Sequence, residues 1–289
     1  MPKKPQALAK LSRPRLYDAL PRERLFALLD EKRKHPAIWI AGPPGAGKTT
    51  LVGSYLEDRK LPGIWYQVDA GDNDLSTFFY YLTEAAKAFA SRKPLPLLTP
   101  EYLPDLAGFG RRYFRGLFLR LPDDAVVVLD NFQDADQGAL QQMIAIAVPE
   151  IPRGMTLIVI SRAETGPEFS QHVANENLVL LGWTDLKLRF EEARAIASSR
   201  EEMDANALLL LFKKSDGWAA GLTLMLERMR RGDLASADME TVSREAVFNY
   251  FAAQIFDTAS PEIRETLVKT SVFSYFSTEF AVSKICAAK

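Results

Sequence analysis

The chain has 289 residues, 47% of them hydrophobic, and its 36 lysines and arginines against 37 aspartates and glutamates leave a formal charge of −1. That composition can build a full apolar core and carries no basic footprint, which argues against global disorder and against nucleic-acid binding by the chain as a whole. A single cysteine, Cys286, and two histidines, His35 and His172, supply neither a disulfide framework nor a zinc cluster. No apolar run approaches the roughly 20 residues of a bilayer span. Met1-Pro2-Lys3-Lys4-Pro5 lacks an apolar signal core, so the expected setting is cytoplasmic, with no membrane partner.

Residues 1–20 read as a basic, proline-containing arm with Lys3, Lys4, Lys10, Arg13 and Arg15. Pro21-Arg22-Glu23-Arg24-Leu25-Phe26-Ala27-Leu28-Leu29 predicts a helix, because Pro21 suits a first turn and Leu25, Leu28 and Leu29 share one face. Residues 37–41, Ala-Ile-Trp-Ile-Ala, predict a short buried strand.

Gly42-Pro43-Pro44-Gly45-Ala46-Gly47-Lys48-Thr49-Thr50 follows that strand and fits G-x-x-x-x-G-K-[ST] at every required position. A helix start follows over Thr50 to Leu56, and strand, glycine-rich loop and helix is the context this motif requires. Glycines let the backbone approach phosphate oxygens, and the helix N-terminus adds a partial positive charge. The loop residues Pro43, Gly45, Ala46, Gly47 and Thr50 are expected to line bound phosphates. Lys48 would reach the β- and γ-phosphates of a bound nucleotide, and the Thr49 hydroxyl would ligate Mg²⁺. With a nucleotide in view, the arm has two readings: mobile or loosely docked, or folded over the base.

Ile64-Trp65-Tyr66-Gln67-Val68 predicts the second strand, and Asp72-Asn73-Asp74 offers caps for a helix over 75–90. Phe78, Phe79, Leu82, Ala85, Ala86 and Phe89 recur there at helical spacing and read as core. A proline-rich connector leads to a helix over 105–121, whose Arg111, Arg112, Arg115 and Arg120 read as a solvated face. Ala125-Val126-Val127-Val128-Leu129-Asp130 predicts a buried parallel strand that ends in an acid. Asp130 therefore falls where a phosphate-loop protein holds Mg²⁺, the bland alternative being a loop or cap acid. A helix over 137–148 precedes a fourth strand, Thr156 to Ile160, that runs into Ser161-Arg162. Arg162 is either a γ-phosphate contact or a surface arginine. Residues 177–181 predict a fifth strand.

Strand and helix alternate to this point and predict a mostly parallel sheet with helices on both faces. From Thr184 the pattern becomes helical, over 188–200, 204–214 and 217–231, and a polar linker at 233–240 precedes a second helical group at 242–287. No finishing element is evident at the end, so either a piece of a longer protein or a small last domain is expected.

Taken in order, Pro21-Arg22-Glu23-Arg24-Leu25, the phosphate loop, Val127-Val128-Leu129-Asp130-Asn131-Phe132, Ile160-Ser161-Arg162, Ser215-Asp216-Gly217-Trp218-Ala219-Ala220-Gly221-Leu222 and Leu267-Val268-Lys269-Thr270-Ser271-Val272-Phe273 resemble the MalT-like branch of the STAND signal-transduction ATPases. The resemblance runs from about Leu11 to about Phe280. It implies an arm (1–20), a P-loop NTPase α/β domain (21–183), an all-α helical domain (184–240) and a winged-helix-like domain (241–289). It also implies inducer-sensing and effector domains, ADP in a resting form, and ATP-dependent self-association of an active form.

Carried over to this sequence, Arg22 and Glu23 lie near the base and ribose. Thr49 and Asp130 hold Mg²⁺, Lys48 and Arg162 meet the phosphates, and the Gly217-Trp218 turn brings the helical domain to the nucleotide. One departure concerns Asn131, which stands where many relatives have a second acid that polarises the attacking water. An amide can orient a water but cannot take its proton, so slow hydrolysis is expected unless Asp134 substitutes. The leading reading is a nucleotide-operated regulatory switch; a kinase or phosphotransferase acting on a small molecule is the alternative. Residues 242–287 hold Arg244, Arg264, Lys269 and Lys284 against Glu245, Asp257, Glu262, Glu265 and Glu279, so no direct DNA binding is expected from them.

Overall fold

The structure is a computed structural model that describes residues 8–17, 19–89, 94–135, 138–199, 204–230 and 264. The linker at 233–240 and the winged-helix-like domain expected over 241–289 lie outside the described residues, Arg264 excepted. The chain divides into two compact units, residues 1–199 with 217–220, and residues 200–216 with 221–289.

In the first unit, helix α1 (Glu23–Lys32), strand β1 (Ala37–Ala41), helix α2 (Lys48–Asp58), β2 (Gly63–Gln67), α3 (Leu75–Ala86) and α4 (Leu106–Phe118) come first. They are followed by β3 (Val126–Asp130), α5 (Gly138–Ala147), β4 (Thr156–Ser161), α6 (Ser170–Ala174), β5 (Leu178–Leu181), α7 (Trp183–Leu186) and α8 (Phe190–Ser198). The five strands form one sheet in the order β2-β3-β4-β1-β5, and all four pairings are parallel. The predicted strands are all present, and α3 stops at Ala86, short of the predicted 90.

Side-chain alternation along the central strands divides the interior into two cores. Trp39, Val127, Leu129, Leu157 and Val159 face a core shared with α3, α4 and α5. Their neighbours Ile38, Ile40, Val126, Val128, Ile158 and Ile160 face the other core, with Leu25, Phe26, Leu29, Leu51 and Tyr55 from α1 and α2. Strands buried on both faces carry continuous apolar runs, which is why Val126 to Leu129 reads apolar at every position. The first core is aromatic. Phe79 meets Phe109 at 4.9 Å and Tyr113 at 4.6 Å between ring centroids, so α3 and α4 share one aromatic seam. Arg111, Arg112 and Arg115 point outward on α4, as a solvated face requires.

The described part of the arm is docked. Lys10 Nζ pairs with Asp69 at 2.7 Å and with the fully buried Asp72 at 2.8 Å. The same ammonium lies 5.3 Å from the ring centroids of both Tyr66 and Tyr81. Arg13 donates to the Leu61 carbonyl, and Leu16 packs where a Cβ on Gly53 would sit. Without Lys10, Asp72 keeps only the Tyr66 hydroxyl and the Asp69 N–H as donors among the described residues. Lys10→Ala is therefore expected to lower unfolding free energy by about 2–3 kcal/mol, because it strips a buried carboxylate of its counter-charge. Equilibrium urea unfolding checks this, and a loss under 0.5 kcal/mol would show that the arm adds nothing to the fold.

In the second unit, α9 (Ala205–Ser215) is capped by Asp204, whose carboxylate accepts from Asn206 N and Ala207 N. Leu208 and Leu211 form its buried face. Helix α10 (Ala219–Arg230) starts on residues of the first unit and buries Leu222, Met225 and Leu226.

Candidate functional site

Three adjacent strands end on one edge of the sheet, and each delivers a different group. β1 runs into the phosphate loop, β3 ends in Asp130, and β4 lies between them and ends at Ser161 beside Arg162. In open α/β sheets this carboxyl edge is where ligands bind.

The loop has the backbone that its glycines permit. Gly45 has φ 71° and Gly47 φ 82°, a left-handed region in which a Cβ is strained. Gly47 caps the N-terminus of α2, whose first-turn N–H groups have no intrahelical acceptor. Four consecutive loop carbonyls are each held by a donor. Lys48 Nζ donates to Gly42 O at 2.5 Å and to Pro43 O at 3.0 Å. Trp218 Nε1 donates to Pro44 O at 3.0 Å, and the Ala220 N–H donates to Gly45 O at 3.0 Å.

Lys48 is buried, and desolvation, with Arg162 as a nearby like charge, pushes its pKa down to about 8. Thr49 Oγ1 donates to Asp130 Oδ1 at 3.0 Å, and the Asn131 N–H donates to the same oxygen at 3.0 Å. Asp130 is 2% exposed, and burial raises its pKa against the effect of these hydrogen bonds. Asn131 sits in the left-handed region at φ 59°, which asparagine tolerates better than most residues. Arg162 is exposed, and its backbone N–H donates to Gln133 Oε1 at 3.0 Å.

The edge thus gathers Lys48, Thr49, Asp130, Asn131 and Arg162, with Pro43, Gly45, Ala46 and Gly47 in the loop itself and Thr50 in the first turn of α2. Trp218 joins them through Pro44. Two other candidates are placed differently. Arg22 is buried, and its guanidinium is engaged by both oxygens of Glu192 and by the Leu186 and Lys187 carbonyls. Glu23 faces solvent on α1 and lies 3.8 Å from Arg59. The sequence reading did not single out Gln133, Glu192 or Ala220. Glu192 had a local signal, since it stands three residues after Arg189 and accepts from its N–H in a helix-start box. Gln133 had none.

No family model matches the chain. It is 26% identical over 94% of its length to the HTH-type transcriptional regulator MalT of Vibrio parahaemolyticus. To the MalT of Klebsiella pneumoniae it is 24% identical over 91%. Its relatives are MalT transcriptional regulators. The chain spans about 31% of the length of the Vibrio MalT and 30% of the Klebsiella MalT. Among solved structures, a STAND protein with a tetratricopeptide repeat sensor from Pyrococcus horikoshii superposes with a TM-score of 0.50 at 18% identity, covering 96% of this chain and 38% of that one. The Aeropyrum pernix ORC1 protein, solved in complex with DNA, superposes with a TM-score of 0.50 at 15% identity, covering 89% of this chain and 74% of that one. The parallel sheet thus has a P-loop NTPase-like fold, in a chain whose relatives are MalT regulators.

Proposed function

We propose that this chain is the nucleotide-operated part of a transcriptional regulator, a switch that binds ATP and ADP and hydrolyses ATP slowly. The observation that carries the reading is the convergence of Lys48, the Thr49–Asp130 pair and Arg162 at the ends of three adjacent strands. Lys48 already points its ammonium at the loop, and β- and γ-phosphate oxygens would replace the Gly42 and Pro43 carbonyls as its acceptors. The loop amides and the start of α2 bind the remaining phosphate oxygens.

The donor set fits Mg²⁺. One hydroxyl and one buried carboxylate adjoin each other, and no cluster of three or more His, Cys, Asp or Glu among the described residues could hold a metal by itself. Mg²⁺ is commonly held by one or two protein oxygens together with phosphates and water, and a cation here would offset the burial of Asp130. Thr49 and Asp130 would hold it, and it would supply charge neutralisation for the bound phosphates.

Arg162 would tell a triphosphate from a diphosphate, and the turn from Gly217 to Ala220 touches the loop directly. On this reading the helical domain over 184–240 responds to the nucleotide. The winged-helix-like domain over 241–289 and sensing and effector domains beyond this chain would carry the signal to ATP-dependent self-association. Arg162→Ala is expected to weaken binding of a non-hydrolysable ATP analogue about tenfold and to leave ADP affinity within about twofold, since one charge-assisted bond to the γ-phosphate is removed. Titration calorimetry with both nucleotides tests this. Equal losses for the two would refute the γ-phosphate contact, and absence of binding to either by the unmutated chain would refute the switch.

No helix among the described residues is long and apolar enough to cross a membrane.

A further inference from the structure

The backbone that presents Arg162 is supported on one side by strand pairing, and on the other its N–H is held by the Gln133 side chain. β4 pairs with β1 out to Ala41↔Ser161. Against β3 the pairing ends earlier, at Leu129↔Val159. Past that point the chain after β3 turns away through Asn131 in the left-handed region and the 3-10 turn Phe132–Asp134. The Arg162 N–H therefore faces a place where the β3 ladder has ended, and Gln133 Oε1 accepts it at 3.0 Å. The other end of the same amide is also held, because Gln133 Nε2 donates to Asp134 Oδ1 at 3.1 Å.

The turn carrying Gln133 is itself anchored. Phe132 is buried and meets the Trp39 ring edge-on at 5.3 Å. Trp39 Nε1 in turn donates to the Ala163 carbonyl at 3.0 Å, one residue beyond Arg162. Arg162 is thus bracketed: Gln133 holds its own N–H, and Trp39 holds the carbonyl that follows. An exposed arginine on a strand end is aimed only as well as its backbone is held, and a misplacement of about 1 Å can remove most of an oriented contact.

We propose that Gln133 is a positioning residue for Arg162, and that the preference of the site for a nucleoside triphosphate over a diphosphate depends on its side-chain carbonyl. The inference rests on the γ-phosphate role proposed above for Arg162. Gln133 sits at the end of the strand that carries Asp130, so it ties the acid-bearing strand to the arginine-bearing one. A change at one strand end is thereby felt at the other.

The test compares Gln133→Met, which keeps length and loses the acceptor, with Gln133→Ala and with Arg162→Ala. It reads affinities for ADP and for a non-hydrolysable ATP analogue, the melting temperature, and amide hydrogen exchange at Arg162. Gln133→Met and Gln133→Ala are expected to weaken the analogue about fivefold, to leave ADP within about twofold, and to speed exchange at the Arg162 amide. A parallel loss for both nucleotides together with a lowered melting temperature would mean that Gln133 is merely structural, and would overturn the inference. An unchanged triphosphate preference in the Gln133 variants, with the preference lost in Arg162→Ala, would overturn it while leaving the function of the site intact. A preference that survives Arg162→Ala would remove the γ-phosphate reading and this inference with it.

Discussion

Replacing Asn131 by aspartate is expected to raise single-turnover ATP cleavage by about 10²-fold or more, the contribution a general base typically makes. Asn131 directly follows the acid that pairs with Thr49, and its N–H is bonded to the Asp130 carboxylate. Its position at φ 59° is one that aspartate also visits, so the substitution should not disturb the turn. An amide at this place can orient a water but has no site for its proton. An aspartate beside the buried Asp130 would feel a like charge and would hold its proton more readily than a free carboxylate, a useful property in a base near neutral pH. Rapid mixing with radiolabelled ATP, with protein in excess, measures the step. Unchanged or slower cleavage would show that another group, such as Asp134, already accepts the proton. Slow cleavage suits a switch, because the bound nucleotide carries the signal for as long as it persists.

Lys48→Ala is expected to weaken ATP binding by roughly 10- to 100-fold while leaving the fold intact, because a charge-assisted bond worth about 1.5–3 kcal/mol is lost. The fold should survive because the lysine donates to Gly42 and Pro43 carbonyls of a loop that Trp218 and Ala220 also hold. Burial contributes a second, independent signature. The free site holds Lys48 at a pKa of about 8, mainly through desolvation, whereas bound phosphates favour the ammonium. Below that value the lysine is charged before ATP arrives, and affinity does not change with pH through this group. Above it a proton must be taken up on binding, so affinity should fall as pH rises past about 8, approaching tenfold per pH unit. ATP itself is fully ionised there and adds no slope. Titrations with a fluorescent ATP analogue from pH 7 to 10 check both points. Unchanged affinity in Lys48→Ala would end the phosphate-loop assignment, and a flat profile in the unmutated chain would mean that the ammonium is not what ATP meets.

Much of the site was legible because its code is local. The loop from Gly42 to Thr49 is a run of neighbours whose glycines permit left-handed backbone, and the structure places Gly45 and Gly47 there. Apolar runs ending in Asp130 or leading into Arg162 announce buried strands, because a strand covered on both faces admits few polar residues. The family resemblance added roles that spacing could not. It put Arg22 and Glu23 near the base and ribose, and only the structure shows that the Arg22 guanidinium is held by Glu192, 170 positions away.

By itself, then, the sequence determined the elements and the chemistry of each strand end, since both depend on residues a few positions apart. It did not determine which strand ends would be neighbours. β4 lies between β1 and β3 because of how the crossovers pass over the sheet, and that order sets Arg162 between the loop and Asp130. The contacts that tune the site join distant positions: Gln133 with Arg162 across 29 residues, Lys10 with Asp69 across 59, and Trp218 with Pro44 across 174. No periodicity or motif encodes such pairs, because each is made only when packing of the apolar faces has already brought two backbones together. A lone glutamine reads as solvent-facing in a sequence, and only the ended ladder beside it makes its carbonyl the acceptor of the Arg162 N–H.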